Sequence, residues 1–487
     1  MHNPPNILWI CTDQQRYDTL GCYGNSYAHT PNLDKLAKTG TIFNHAYSQS
    51  PVCSPSRASF LTGRYPHTTR CRQNGQMIPR DEVLVTRLLK DAGYNCGLAG
   101  KLHIAPCHPS VCRGTEERID DGYSVFNWSH HAEGFNSNIN GWANNEYHMW
   151  LRSQGLRYET PLYPGSRHVY SGMPEEYSHT KWCTDRAIDF IDANRAHGNP
   201  WVFSLNYFDP HHPFDPPFEY LNRYLSILDE IPLPDYKEGE LDKKNLYHQR
   251  EYDNGAYNGM KEFRHDDMTD REHRLVKAAY WAMVNLIDHQ VGRLIDMLEE
   301  TGQLENTLII FTSDHGEMLG DHGIYLKGPH LYDCSVRVPL IISWPGHVGA
   351  GKTDALVELT DLAPTLMEAA NLPVWSGMQG LSMWKLLTGA GDFGFHRSDV
   401  LAEYYNAMPT HKDPLPYLTM LRTTTYKMIC QHGQEHGELY HMVNDPHEIN
   451  NLWYEPEYAD IRFKLLKLMC DRIVFTCDPL PLRDAVF

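Results

Sequence analysis

The sequence predicts an α/β fold: a large mixed, mostly parallel sheet with helices on both faces, then a small C-terminal α+β subdomain on an antiparallel sheet. Three observations carry this. Short β-branched runs alternate with helical stripes over most of the chain, the pattern of strands joined by crossover helices. The first apolar run, Ile7 to Cys11, has no polar alternation, as expected of a strand buried on both faces. After about residue 390 the rhythm changes to short strands in close succession.

Taken in order, Ile7 to Cys11 is the first strand, and Leu33, Leu36 and Ala37 mark one face of a short helix. Leu84, Leu88 and Leu89 mark another helix, which ends before Gly93. Asn95 to Ala99 and Trp201 to Phe208 read as strands. Ile287, Val291, Leu294 and Leu298 line one face of a long helix that stops near Gly302. Thr307 to Ser313 and Val338 to Ser343 are further strands, the latter closed by a Trp344-Pro345-Gly346 turn. Two stretches break the rhythm, Arg113 to Ser178 and Pro213 to Asp270. Both read as long insertions over one face of the sheet, where long loops tend to be functional. Val400–Tyr404, Tyr417–Thr423, Tyr426–Gln431 and Glu438–Met442 then read as strands, with a helix from Pro456 to Cys470. The expected division is a catalytic domain over 1–390 and a C-terminal subdomain over 391–487.

Composition excludes several classes. With 487 residues the chain can bury one large core and a smaller second one. A formal net charge of −18 and the lack of a basic stripe argue against nucleic acid. The 12 cysteines are too sparse for a disulfide scaffold and form no CxxC pair; Cys107 and Cys112 could bridge or bind metal, but read first as unpaired thiols. The first strand begins too near Met1 for a leader, and no apolar run is long enough for a membrane span. The expectation is a soluble, cytoplasmic protein with no membrane partner; a homo-oligomer stays open.

Ligands of open α/β sheets bind beyond the carboxyl ends of the strands. Asp13 and Gln14 follow the first strand, Lys101 and His103 the one ending at Ala99, Asp209, His211 and His212 the one ending at Phe208, and Asp314 and His315 the one ending at Ser313. Any one of these could be a turn former or a helix cap. Together they point to one crevice with a divalent cation held by Asp13, Gln14, Asp314 and His315. Oxygen donors favour calcium, magnesium or manganese, and an imidazole shifts the balance toward manganese or zinc.

The strongest local signal is the run Cys53-Ser54-Pro55-Ser56-Arg57-Ala58-Ser59-Phe60-Leu61-Thr62-Gly63-Arg64. Pro55 suits a first helical turn and Gly63 a stop. Cys53 then sits at a helix N-terminus, where backbone N–H groups favour an anion, with Arg57 one turn on along the same face. A buried structural cysteine is the ordinary alternative. The arrangement suits a nucleophile attacking an anionic ester, with a guanidinium on its nonbridging oxygens.

The string Cys53-x-Pro55-Ser56-Arg57-x-x-x-Leu61-Thr62-Gly63 resembles the signature of type I sulfatases, of the alkaline phosphatase superfamily. Asp13-Gln14-Gln15-Arg16, Gly100-Lys101-Leu102-His103, Pro210-His211-His212-Pro213, the run from Ser313 through Glu317 to Lys327, and Leu439-Tyr440 with Asp445-Pro446 extend the likeness over nearly the whole chain. The resemblance implies that a maturation enzyme oxidises Cys53 to formylglycine, whose hydrate is the nucleophile. It implies a calcium ion on Asp13, Gln14, Asp314, His315 and modified Cys53. Arg57 and Lys101 would hold the hydrate, His103 would take a proton as sulfate is expelled, and His211 and Lys327 would contact sulfate and the leaving oxygen. Many relatives carry two successive aspartates where this chain has Asp13-Gln14, a form that also resembles phosphonate monoester hydrolases. The resemblance therefore implies a sulfatase acting on a sulfated sugar, with phosphonate monoester or phosphodiester hydrolysis as the alternative. A non-catalytic binding protein on this scaffold would be expected to have lost these groups, and all are present. The acidic surface offers no track for a long polyanion, so the expected substrate is a small sulfated saccharide or a chain end.

Overall fold

The computed structural model describes residues 4–130, 142–483 and Ala485. Part of the first expected insertion, residues 131–141, lies outside the described residues. A nine-stranded sheet is formed by β1 (Asn6–Thr12), β2 (Thr41–Tyr47), β3 (Asn95–Gly100), β4 (Val125–Trp128), β5 (Trp201–Asn206), β6 (Thr307–Ser313), β7 (Arg337–Val338), β8 (Leu340–Ser343) and β9 (Gly351–Glu358). The order is β4-β3-β5-β1-β6-β8-β2-β7, with β9 also paired to β2. From β4 to β6 every pairing is parallel; β8 runs antiparallel to β6 and to β2. The sheet is thus mixed and mostly parallel, as expected.

Successive residues of β1 go to opposite faces, the two-residue period of a strand. Leu8 and Ile10 join a core with the helices Pro31–Lys38, His179–Asn194 and Asp270–Glu300. Ile7, Trp9 and Cys11 join a second core with the helices Cys53–Thr62, Val85–Asp91 and Leu362–Ala369. Burial on both sides is why the run carries no polar alternation. The long helix begins at a capping box, in which the Thr269 and Glu272 side chains each accept from the other's backbone N–H. Among the described residues no helix is long and apolar enough to cross a membrane.

A second sheet, β10 (Asp399–Tyr405), β11 (Tyr417–Thr423), β12 (Tyr426–Gln431) and β13 (Gly437–His441), is antiparallel throughout. The helix Ala459–Phe475 follows, five residues longer at its end than the pattern suggested. Three strands of the main sheet, β2, β4 and β9, were not expected. β4 lies inside the first presumed insertion and pairs with the edge of β3, so that stretch is in part sheet. The second presumed insertion holds short helices, one of which, Phe218–Leu225, packs on the long helix Asp270–Glu300.

Candidate active site

The registers put the strand ends level. Cys11 on β1 pairs with Asn206 on β5, Thr12 with Ser313 on β6, and Asn206 with Gly100 on β3. The residues that follow these ends therefore emerge side by side. The loop after β2 brings the start of the helix Cys53–Thr62 over the same edge. This helix is wholly buried and ends at Gly63, whose φ of 69° is the left-handed conformation of a helix stop.

Cys53 is the centre of the cluster. Its Sγ lies 3.0 Å from Lys327 Nζ, 3.4 Å from Lys101 Nζ, 3.2 Å from His315 Nε2 and 3.7 Å from Asp13 Oδ1. Burial and Asp13 push its thiol up, but Lys101, Lys327 and His315 outweigh them and bring it down to about 5. The site is thus built for negative charge at the position of Sγ. Lys327 donates to Gln14 Oε1 at 2.8 Å and to His211 Nε2 at 2.9 Å as well as to the sulfur, which uses its three protons. His211 Nδ1 donates to the His212 carbonyl at 2.6 Å, leaving Nε2 as the acceptor. His212 stacks on His211 from outside, so His211 is the histidine on the site.

The donor set suits a divalent cation. One ligand atom each of Asp13, Cys53, Asp314 and His315 lie within 4.8 Å of one another, all buried. His315 Nδ1 donates to the Gly316 carbonyl at 2.8 Å, which turns Nε2 toward the cluster as metal-binding histidines are commonly held; a bound cation would displace the proton from Nε2. Burial alone would raise Asp13; Lys101, Arg57 and Lys327 overcome it and hold the carboxyl well below the usual range, so it is an anion.

The sulfatase family pattern matches residues 5–372, about three quarters of the chain, and the C-terminal pattern of N-sulphoglucosamine sulphohydrolase matches residues 320–473. The chain belongs to the sulfatase family. It is 30% identical over 468 residues to an arylsulfatase of Clostridium perfringens, covering 94% of this chain and 92% of that one. It is 27% identical to an N-acetylglucosamine-6-O-sulfatase of Bacteroides thetaiotaomicron, over 96% and 85% of the two chains. A phosphonate monoester hydrolase from Silicibacter pomeroyi shares the fold, with a TM-score of 0.82 at 24% identity over 97% and 96% of the chains. The chain is a sulfuric ester hydrolase.

One residue of this sulfatase sits differently from the expectation of a guanidinium on substrate oxygens. The Arg57 guanidinium is turned inward: Nε donates to Asp314 at 2.8 Å, Nη2 to Asp13 at 3.2 Å and Nη1 to the Lys101 carbonyl at 2.8 Å. It braces the two carboxylates rather than reaching for substrate oxygens, because it is fully buried between them. His103 makes no hydrogen bond to the thiol among the described residues; it stands beside the cluster, edge-on to His130 at 4.4 Å. Burial, reinforced by Lys101 and Arg57, holds it well below the usual imidazole range, so it is neutral.

Two carboxylates escaped the sequence reading as site builders. Glu317 stands in the Ser313–Lys327 run but was given no role. It accepts from the Gln14 amide, from Leu319 N at 3.0 Å and from Leu326 N, closing the loop that returns Lys327 to the site. Gln14 thereby donates to Glu317 and accepts from Lys327 at once, which a second aspartate could not do. Glu116, in the first irregular stretch, carries no sequence signal at all. It accepts from the backbone N–H groups of His103 at 2.8 Å, Ile104 at 2.5 Å and Ala105 at 2.9 Å, and from the Trp128 indole at 3.1 Å.

Proposed function

We propose that the chain hydrolyses a sulfate monoester on a small saccharide, with Cys53 oxidised to formylglycine and Ca2+ bound by Asp13, Gln14, Asp314, His315 and the modified residue. The observation that carries this is the convergence on Cys53 Sγ of two lysines, a metal-type imidazole and a carboxylate at a helix start. The sugar reading draws support from the 27% identity to an N-acetylglucosamine-6-O-sulfatase. Asp13, Gln14, Asp314 and His315 would hold the cation, which when bound would supply Lewis-acid stabilisation of sulfate charge, and Cys53 in its oxidised, hydrated form would supply the attacking oxygen. Lys101 steadies the nucleophile, Arg57 fixes the carboxylates that hold the cation, and neutral His103 accepts the proton released as sulfate leaves. Lys327 and His211, already joined by a hydrogen bond, offer a proton path to the leaving oxygen.

The test is turnover of sulfated mono- and disaccharides by protein whose Cys53 peptide has been checked by mass spectrometry for the aldehyde. Sulfate esters should be turned over in proportion to the oxidised fraction. A phosphodiester of the same phenol as an aryl sulfate, turned over faster than the sulfate, would move the activity to the phosphonate and phosphodiester class. Action only on internal sulfates of long chains would overturn the small-saccharide assignment. Chelation should abolish turnover and calcium restore it; recovery with magnesium or manganese alone would reassign the ion. Lys327→Ala should lower kcat by about 10²–10³, the usual loss for one charge-stabilising donor. Wild-type turnover in that variant would remove Lys327 from the reaction.

A further inference from the structure

Beside the reaction centre lies a second set of donor atoms of a different chemical kind. One ring nitrogen each of His103 and His130 and the thiol of Cys107 lie within 4.8 Å of one another, and all three residues are buried. His103 and Cys107 come from the loop after β3, and His130 follows β4.

The set is held in place by its surroundings. Glu116 grips three consecutive backbone N–H groups, from His103 to Ala105, and so fixes the start of the loop. The Trp142 indole donates to the Cys107 carbonyl at 2.6 Å and fixes its end. The His130 ring lies parallel to Trp128 at 6.4 Å and edge-on to Trp142 at 5.4 Å. His103 Nδ1 is buried with no hydrogen-bond partner among the described residues, a costly arrangement unless something occupies it. The Cys107 thiol lies 3.3 Å from the Ala105 carbonyl and also faces the Glu116 carboxylate.

We propose that His103, Cys107 and His130 form a binding site for a soft divalent cation of the zinc class, and that its occupancy inhibits the enzyme by engaging His103. The inhibitory half rests on the role of His103 given above; the binding half does not. Two imidazoles and a thiolate are zinc donors, whereas the cluster around Asp13 and Asp314 is oxygen-rich and suits calcium. The two sites therefore sort metals by hardness. In a tetrahedral zinc site the donor atoms lie about 3.3–3.8 Å apart, so the three need close by only about 1 Å. Three protein ligands leave a fourth position for water, and on binding the Cys107 proton passes to solvent.

The experiment uses calcium-loaded, formylglycine-checked protein. Zinc is titrated against a chromophoric chelator, and aryl sulfate turnover is followed in parallel. Wild-type protein should bind zinc and lose turnover, with recovery when zinc is chelated and calcium replenished. Cys107→Ser and His130→Asn should each weaken zinc binding at least about tenfold, and Cys107→Ser should keep its zinc-free turnover while resisting zinc to the same degree. Cobalt substituted for zinc should show thiolate-to-metal absorption in wild type, lost in Cys107→Ser; this readout also covers a variant that folds poorly. Equal zinc affinity in wild type and both variants would overturn the site and place the ion on the calcium cluster or on the exposed Cys470 and Cys477. Zinc binding through Cys107 in protein that turns over no sulfate ester would keep the site and refute only the proposed reaction.

Discussion

The Glu116 carboxylate collects four hydrogen bonds, three of them from consecutive backbone N–H groups. One of these belongs to His103, whose φ of 58° is a left-handed conformation that few non-glycine residues hold unaided. Burial pushes Glu116 up, and the donated hydrogen bonds pull it back part of the way. Glu116→Gln is isosteric but turns an NH2 toward N–H donors. It should cost about 1–3 kcal/mol of stability, the penalty of an unmatched buried polar group. It should also lower kcat more than it raises KM, since His103 is displaced rather than substrate binding lost. Denaturant unfolding with steady-state kinetics checks both, and an unchanged unfolding midpoint would mean that the loop holds itself. Such a residue is not legible in sequence, because its role is acceptance of backbone donors thirteen to eleven positions away. Cys53, Asp13, Asp314 and Lys327 were legible because each stands in a motif or at the end of an apolar run.

At the scale of elements, the site depends on how closely β3 and β5 approach at their ends. Gly100 has φ of 98°, and a Cβ there would lie 1.9 Å from the Asn206 carbonyl oxygen. The next residue is Lys101, whose N–H donates to that same oxygen at 3.1 Å. Gly100→Ala must therefore shift the backbone that aims Lys101 at Cys53. Stability should fall by more than the about 1–3 kcal/mol of the strained φ alone, and turnover by about 10²-fold for a displacement near 1 Å. Gly93→Ala is the control: φ is 95° but nothing lies within 4 Å, so it should show the backbone cost without loss of turnover. Equal effects in the two variants would show that close packing at Gly100 is not what matters. The strands that carry the site were readable because both faces are buried. β2, β4 and β9 were not, for a physical reason. β2 has half-buried Asn44 and His45 at an irregularity in its register with β9, β4 is an edge strand, and the first half of β9 carries the exposed Lys352 and Asp354.

At the scale of the molecule, the antiparallel unit was foreseen from its strand rhythm, but not the charges by which it grips the main sheet. Lys427 on β12 is fully buried; Nζ lies 2.6 Å from Asp333 Oδ1 and 2.7 Å from Glu448 Oε1. Asp333 follows the loop that carries Lys327, so this seam ties the second sheet to the active-site rim. The two carboxyls behave oppositely. Burial opposes the charge on Asp333, but Lys427 and Arg337 overcome it and hold the group down, so it is ionised. Burial pushes Glu448 up to about 7, with Lys427 offsetting only part and Asp333 adding to it. Asp333→Asn should therefore cost about 3–5 kcal/mol, because Lys427 loses its ionised partner. Glu448→Gln, which mimics the protonated acid, should cost far less below neutral pH. The sign of the pH effect follows from linkage. The folded value of Glu448 lies above the ordinary 4.5, so the folded state holds the proton more tightly. Its contribution is full below that ordinary value and is lost as pH rises through about 7. Unfolding free energies of wild type and Glu448→Gln, measured from about pH 5 to 8, should thus differ by an amount that drifts in favour of the variant as pH rises. A difference flat across that window would make Glu448 an ordinary ionised partner of Lys427, and the seam a simple triad of fixed charges.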